Sequence, residues 1–387
     1  MAKKVLMACH NHWTSPFQVG SHHIARELVN LGFEVAFLSA PVSPLHVLGG
    51  VSAELVERYR IYRDGGRHDL DGKLWYYVPG TMLTPQNRPL LKTAVVANHW
   101  HRTGWHKIEK VLSDKGFASV DMIYFDNCYY SFLLDKIVHG KSIFRIADKN
   151  SGFSSATKQS NILEARLAGR VDHVIYTAHS LEDYVDKMNP RSKIYFPNGV
   201  FFDHFANTDR KIPEEYKDIS RPIALYVGAI NDWFDFEMIN AAVRKMPRVS
   251  FVFIGPDKSA QKNITKAGNV FLLGSRPYGR IPNYMKNADL GLIPFDFRKY
   301  PDLVNSIHPL KLYEYMACGL PVVAAGWREL ELMKTPARLY SNENEFVTAI
   351  DETISSLPTL DHAGLVSYAS KFDWHLKVKE LIEKVSI

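Results

Sequence analysis

HPLKLYEYMACGLPVVAA, residues 308–325, reads as a short helix that turns into a strand. Pro309 suits the first turn, where a missing N–H costs nothing, and Gly319 suits the position just past the other end. At 100° per residue, Lys311, Glu314 and Cys318 fall on one face while Leu312 and Met316 fall on another. A helix start offers free N–H groups and the positive end of a dipole to phosphate, and Lys311 in the first turn adds charge there. Glu314, one turn on, can accept hydrogen bonds from hydroxyl groups. On an arbitrary helix the same two residues would form an exposed ion pair worth about a few tenths of a kcal/mol.

Outward from this stretch, short β-branched runs alternate with amphipathic helical ones, the pattern of parallel sheets flanked by helices. In the second half, residues 223–227, 250–254, 270–273, 290–294 and 321–324 read as strands, with helices near 234–245, 281–287 and 309–318. In the first half, strands fall at 4–8, 34–39, 74–78, 122–125, 142–147, 173–177 and 193–196. A helix at 21–31 carries Ile24, Leu28 and Leu31 at helical spacing. Pro197-Asn198-Gly199 closes this block and a polar stretch with Pro213 follows. The expected division is an N-terminal Rossmann-like domain at 1–205, a linker at 206–221, a C-terminal Rossmann-like domain at 222–371, and a helix at 372–387 that packs back on the N-terminal domain. Open α/β sheets bind ligands beyond the carboxyl ends of their strands, so two such domains predict an interdomain cleft.

A length of 387 residues suits two domains, and 46% apolar with 23% charged residues is ordinary for a folded protein. The net charge of +6 suits contact with phosphates or an anionic membrane. Basic residues are interspersed with nearly as many acids and no binding motif is present, which excludes nucleic acid as the expected partner. Cys9, Cys128 and Cys318 are too far apart for a disulfide framework or a metal-ligand spacing, so a reducing cytoplasm is expected. No run approaches the roughly 18 apolar residues needed to span a bilayer, leaving only peripheral membrane contact.

The run from Pro309 through Lys311, Glu314 and Tyr315 to Gly319-Leu320-Pro321 resembles the donor-binding segment of GT-B-fold glycosyltransferases. The large retaining family has two glutamates in this region. Glu314 matches the second, but Ser306 stands at the position of the first, a departure from the retaining pattern that leaves the stereochemistry unfixed by this segment. A closer resemblance is to the group of the xanthan-assembly glucuronosyltransferase, an inverting family of the same fold. It is carried, in order, by Ser15-Pro16-Phe17, Gly20-Ser21-His22-His23, the run SAPVSPLH at 39–46, Arg145-Ile146-Ala147-Asp148 and Lys311. This resemblance implies a bacterial polysaccharide-assembly enzyme. Its donor would be a nucleotide-sugar, with UDP-glucuronate one candidate, and its acceptor a glycan or polyprenyl-linked oligosaccharide at the cytoplasmic face of the inner membrane. Such an anionic membrane surface is a candidate contact.

Candidate donor-binding residues are Gly228, Ala229 and Ile230, which follow the first strand of the second domain and let backbone approach a diphosphate. Arg276, at another strand end, could hold a phosphate or an acidic sugar or be a solvated loop residue. Ser306, His308, Leu310, Lys311 and Glu314 complete the donor set. On the acceptor side, the loop from Cys9 to Gly20 is rich in His, Trp and Pro, and it supplies His12, Trp13, Gly20 and the adjoining His22, which shares a helical face with Arg26. An inverting transfer needs one base for the acceptor hydroxyl, and a carboxylate at a strand end suits it. The resemblance places that base at Asp148, with Asp126 and His22 as runners-up.

No metal and no cofactor is expected, the nucleotide-sugar being a substrate. Asp69-Leu70-Asp71 has the D-x-D form that holds a divalent ion in a different glycosyltransferase fold, but among Gly65, Gly66 and Gly72 it reads as a turn. Residues 90–112 plot as an amphipathic helix, with Leu90, Trp100, Trp105, Ile108 and Val111 opposite Lys92, His99, Arg102, His106 and Lys110. This pattern fits either a core-facing helix or one lying in an anionic membrane interface, although Gly104 interrupts it. The alternatives to an inverting glycosyltransferase are a sugar-nucleotide epimerase of the same fold, a retaining glycosyltransferase, and a non-catalytic nucleotide-sugar-binding or glycan-binding subunit.

Overall fold

The structure is a computed structural model describing residues 2–15, 18–256 and 258–387; Pro16 and Phe17, part of the resemblance above, lie outside the described residues. It contains two compact units, Met1–Pro197 with Lys377–Ile387, and Asn198–Leu376.

The first unit is built on eight strands: β1 (Lys4–Ala8), β2 (Glu34–Leu38), β3 (Arg67–Asp69), β4 (Leu74–Tyr77), β5 (Ser119–Phe125), β6 (Val138–Ile146), β7 (His173–Tyr176) and β8 (Lys193–Tyr195). Their order is β3-β4-β2-β1-β5-β6-β7-β8. Every neighbouring pair is parallel except β3 with β4. The unexpected strand β3 is one arm of a hairpin whose turn holds Leu70, Asp71 and Gly72 at φ 48°, 55° and 82°. Strand order reverses between β1 and β5, so their carboxyl ends flank a topological switch point.

The second unit holds β9 (Ile223–Val227), β10 (Ser250–Ile254), β11 (Val270–Gly274), β12 (Leu290–Ile293), β13 (Val322–Ala325) and β14 (Arg338–Tyr340). All run parallel in the order β11-β10-β9-β12-β13-β14, a doubly wound arrangement with its switch point between β9 and β12. Strand β14 escapes the sequence reading because it is three residues long and mostly exposed, too short for a periodicity to register.

Three stretches differ from the expected reading. The stretch read as a linker at 206–221 is packed into the second unit, whose boundary lies at Asn198. Lys286 Nζ donates to the carbonyls of Ala206 and Thr208 at 2.7 and 2.5 Å, Asn287 Nδ2 donates to the Lys211 carbonyl at 3.0 Å, and Arg221 pairs with Asp289 at 2.6 Å. Its polar residues are hydrogen-bonding partners rather than solvated spacers. The last helix, Trp374–Val385, belongs to the first unit only from Lys377 onward. Residues 90–112 are not one helix but Ala94–His99, a 3₁₀ turn at Trp100–Thr103 and Ile108–Asp114. The break falls where Gly104 bridges to Thr81, and Trp100, Ile108 and Leu112 turn into the core.

Candidate active site

The helix Leu310–Ala317 lies between β12 and β13, and a helix crossing between parallel strands starts at their carboxyl ends. Pro309 is its N-cap, one position ahead of the expected one. Its other end closes on Gly319 at φ 71°, where Gly319 N–H reaches the Met316 carbonyl and Leu320 N–H the Tyr315 carbonyl, both at 2.9 Å. Tyr315 fixes the helix on the sheet: its hydroxyl accepts from Val227 N–H at 2.8 Å, and its ring fills the space beside Gly291, where a β-carbon would stand 2.6 Å from Cδ2. Leu312, Tyr313, Tyr315 and Met316 are buried, whereas Lys311, Glu314 and Cys318 stay partly exposed, as the helical spacing predicts.

Lys311 reaches the switch point. Its Nζ lies 4.7 Å from the centre of the Phe295 ring, just past β12, and 5.4 Å from that of Tyr226 in β9. A β-carbon on Gly228, which has φ 143°, would stand 3.2 Å from Lys311 Cε and 3.5 Å from Nζ. Only glycine leaves this approach open. Among the described residues Lys311 makes no hydrogen bond or ion pair. Burial lowers its pKa to about 8 against the opposing pull of Glu314, and burial raises that of Glu314 to about 7 against the pull of Lys311. An ammonium held this way, at a strand-end switch point and a helix start, favours an arriving anion.

The rest of the donor set divides. Ala229 accepts from the Tyr226 hydroxyl at 2.6 Å, which locks the loop after β9, and Ile230 is in the core. Ser306 is buried and donates to the Leu303 carbonyl at 2.9 Å. The His308 ring lies against Tyr313, Nε2 to hydroxyl 3.2 Å, while its carbonyl accepts from Asn198 Nδ2 at 2.7 Å; Leu310 is partly exposed at the helix start. Arg276 is already engaged, paired with Glu215 at 2.9 Å and donating to the Tyr284 hydroxyl at 3.1 Å.

In the first unit Asp126 follows β5 and spans the switch point. One carboxylate oxygen accepts from His10 N–H at 2.8 Å and the other from the Ser21 hydroxyl. Gly20, at the start of the helix Gly20–Asn30, brings its bare α-carbon against the buried guanidinium of Arg145, so two separated motifs meet. Asp148 follows β6 and is half-buried, with no hydrogen bond or ion pair among the described residues. Burial raises its pKa to about 6, with Arg145 opposing the rise. Of the two strand-end carboxylates, Asp126 is occupied in holding the fold and Asp148 is open.

Three of the four acceptor-side residues, His12, Trp13 and His22, are packed against one another. His22 Nδ1 accepts from Val19 N–H at 3.2 Å and Nε2 donates to the His12 carbonyl at 3.0 Å, so both ring nitrogens are engaged. Burial lowers its pKa to about 4, against the opposing pull of the hydrogen bond to His12. Trp13 donates from Nε1 to Asp69 at 2.6 Å and stacks on His22, while His12 lies 3.4 Å from Glu54. Asp69 of the D-x-D run thus braces Trp13.

Comparison with known sequences follows the same division of the chain. Residues 7–177 match the family Glucuronosyltransferase GumK, N-terminal domain, and residues 221–356 match Glycosyl transferases group 1. The first unit is thus similar to the GumK N-terminal domain and the second to the group 1 glycosyl transferases, each match covering less than half of the chain. This GT-B chain is 28% identical over 184 residues to a protein described as a teichuronic acid biosynthesis glycosyltransferase, TuaH of Bacillus subtilis; the match spans 45% of each chain. Among solved structures it resembles sucrose-phosphate synthase of Thermosynechococcus elongatus (TM-score 0.68, 14% identity, 99% of this chain and 98% of that one). It also resembles Anabaena Alr3699/HepE in complex with UDP-glucose (TM-score 0.65, 16% identity, 99% of each).

Sequence reasoning missed the aromatic cradle of Lys311. Tyr226 and Phe295 read as ordinary strand-end core residues, and only the strand order brings them together. Tyr315 was quoted for its motif, yet its anchoring bond to β9 has no sequence signal.

Proposed function

We propose that this chain is an inverting glycosyltransferase that moves a sugar from a nucleoside diphosphate to a lipid-linked oligosaccharide in bacterial surface-polysaccharide assembly. The observation carrying the reading is Lys311, an ammonium at the nucleotide-binding switch point with no anionic partner among the described residues. The UDP-glucose bound by the Anabaena neighbour supports UDP as the nucleotide, and glucuronate is a candidate sugar. The TuaH description supports polysaccharide assembly.

In the proposed reaction the acceptor oxygen attacks the anomeric carbon and the bond to the β-phosphate oxygen breaks with its electron pair. The hydroxyl proton passes to Asp148. Lys311 and the start of its helix neutralise the diphosphate charge without a metal, so full turnover in EDTA is expected. Glu314 accepts hydrogen bonds from sugar or ribose hydroxyls. UDP release from UDP-sugars tests the assignment of the base: Asp148→Asn should abolish it and Asp126→Asn should act through stability. Conversion of a UDP-sugar into its epimer without acceptor would contradict the transferase reading.

Contact with an anionic bilayer on the cytoplasmic face is part of the proposal, moved from 90–112 as a helix to the loops after β2 and β4. Leu48 and Leu90 are 77% and 81% exposed, with Val47, Val51, Met82 and Val95 also displayed. The two loops are joined, Ser43 donating to the Met82 carbonyl at 2.9 Å and Arg88 lying against Gly49. Residues 79–107 contain Arg88, Lys92, Arg102 and Lys107 but no Asp or Glu. Exposed aliphatics on an acid-free basic surface are complementary to anionic lipid.

A further inference from the structure

The two loops that leave the switch point of the second unit are laced to each other. Phe234, after β9, pairs with Phe295, after β12, in an isolated antiparallel bridge. Asp235 N–H donates to the Pro294 carbonyl at 2.9 Å, and Asp296 N–H to the Trp233 carbonyl at 2.8 Å. An ion pair closes the lacing, Arg298 Nη2 donating to Asp235 Oδ2 at 3.0 Å. The chain turns back after Phe295 to bring Arg298 there: Lys299 N–H donates to Asp296 Oδ1 at 2.9 Å and Tyr300 N–H to the Asp296 carbonyl at 3.0 Å. Both rings that cradle Lys311 depend on this lacing. Phe295 is one of its two strands, and Phe234 sets its ring edge-on against that of Tyr226, with centroids 4.9 Å apart and planes at 78°. A shift of either loop therefore moves a ring on which the Lys311 ammonium rests.

The Asp235 side chain is only 5% exposed, and its Oδ1 caps the helix Phe236–Lys245 by accepting from Met238 N–H at 2.9 Å. Capping needs one oxygen and no charge, so asparagine would serve as well. A buried carboxylate is costly unless a cation answers it. Arg298 answers it from the opposite loop, and what the charge adds to the cap is the tie between the loops. We propose that Arg298 is a positioning residue for donor binding: held by Asp235, it keeps the loops after β9 and β12 together and so sets the aromatic seat from which Lys311 meets the diphosphate. This rests on Lys311 receiving that diphosphate.

Two readouts test it on Arg298→Ala, Asp235→Asn, Lys311→Ala and the double variant of Arg298→Ala with Lys311→Ala. One is calorimetric titration of UDP; the other, which needs no ligand, is hydrogen exchange of residues 233–236 and 294–298. Arg298→Ala should weaken UDP binding by about 3- to 30-fold. It should speed exchange in both segments by about tenfold or more and leave exchange in the first unit unchanged. Asp235→Asn keeps the helix cap, loses the charge, and should reproduce both effects. In the Lys311→Ala background, Arg298→Ala should weaken UDP by no more than about twofold further, since both act on one contact. An Arg298 that touched the diphosphate itself would keep its full effect in that background and overturn the proposal. Unchanged UDP affinity or unchanged exchange in Arg298→Ala would overturn it too. If Arg298→Ala does not fold, Asp235→Asn, alone and with Lys311→Ala, decides by the same criteria. Equal UDP affinity in the wild type and Lys311→Ala removes the diphosphate assignment and this proposal with it. A weakened Lys311→Ala beside an unaffected Arg298→Ala removes this proposal alone.

Discussion

The α-carbon of Gly20 faces the guanidinium of Arg145 so closely that a β-carbon there would stand 2.6 Å from Nη2 and 3.0 Å from Cζ. Gly20→Ala therefore has to displace a buried cation, not the free end of a solvated chain. A loss of about 1–3 kcal/mol is expected, as for other overpacked sites. Urea denaturation measures it, and unchanged stability would mean that Arg145 relaxes at no cost.

Turnover should follow the ionisation of Asp148. Burial lifts its carboxyl from 3.8 to about 6, and a base works only when deprotonated. The rate should be greatest between about pH 7 and 8, fall by about tenfold per unit below pH 6 as Asp148 gains a proton, and fall again above about pH 8 as Lys311 loses one. A pH–rate profile of kcat/KM for UDP release checks this, and a limb that stays flat down to pH 4.5 would exclude Asp148.

Tyr315→Phe removes the acceptor for Val227 N–H and leaves a buried amide without its partner. The expected cost is about 1–3 kcal/mol. Gly291→Ala, which drives a β-carbon into the Tyr315 ring, should cost more; thermal or urea unfolding ranks the two.

Flotation with vesicles tests the membrane surface. The protein should rise with anionic vesicles at low salt, remain below with neutral ones, and lose binding as salt screens the basic loops. Leu48→Asp with Leu90→Asp should abolish flotation without altering UDP binding. Protein that stays in the soluble fraction with anionic vesicles would count against docking.

The fold was legible because parallel sheets covered on both faces leave unbroken apolar runs, as in β1 and β10, and because Gly319 and Pro309 bound a helix by backbone chemistry alone. The faces of that helix were legible for the same reason. What escaped depends on the order of strands, which no local pattern encodes. Tyr226 and Phe295 meet at Lys311 only because β9 and β12 are neighbours. Polarity also misled in both directions: Arg276 read as a free cation although Glu215 neutralises it, and the stretch at 206–221 read as a tether although Lys286, Asn287 and Asp289 hold it. His22 illustrates a third limit, since a histidine whose two nitrogens are used by its own loop looks, in sequence, like one free for catalysis.

The central claim, that Lys311 receives the diphosphate of a UDP-sugar, is tested most directly by calorimetric titration of UDP into the wild-type protein and Lys311→Ala. Loss of a charge-assisted contact in a partly buried site predicts affinity weaker by about 10- to 100-fold, with unfolding stability preserved. Equal UDP affinity in the two proteins would contradict it.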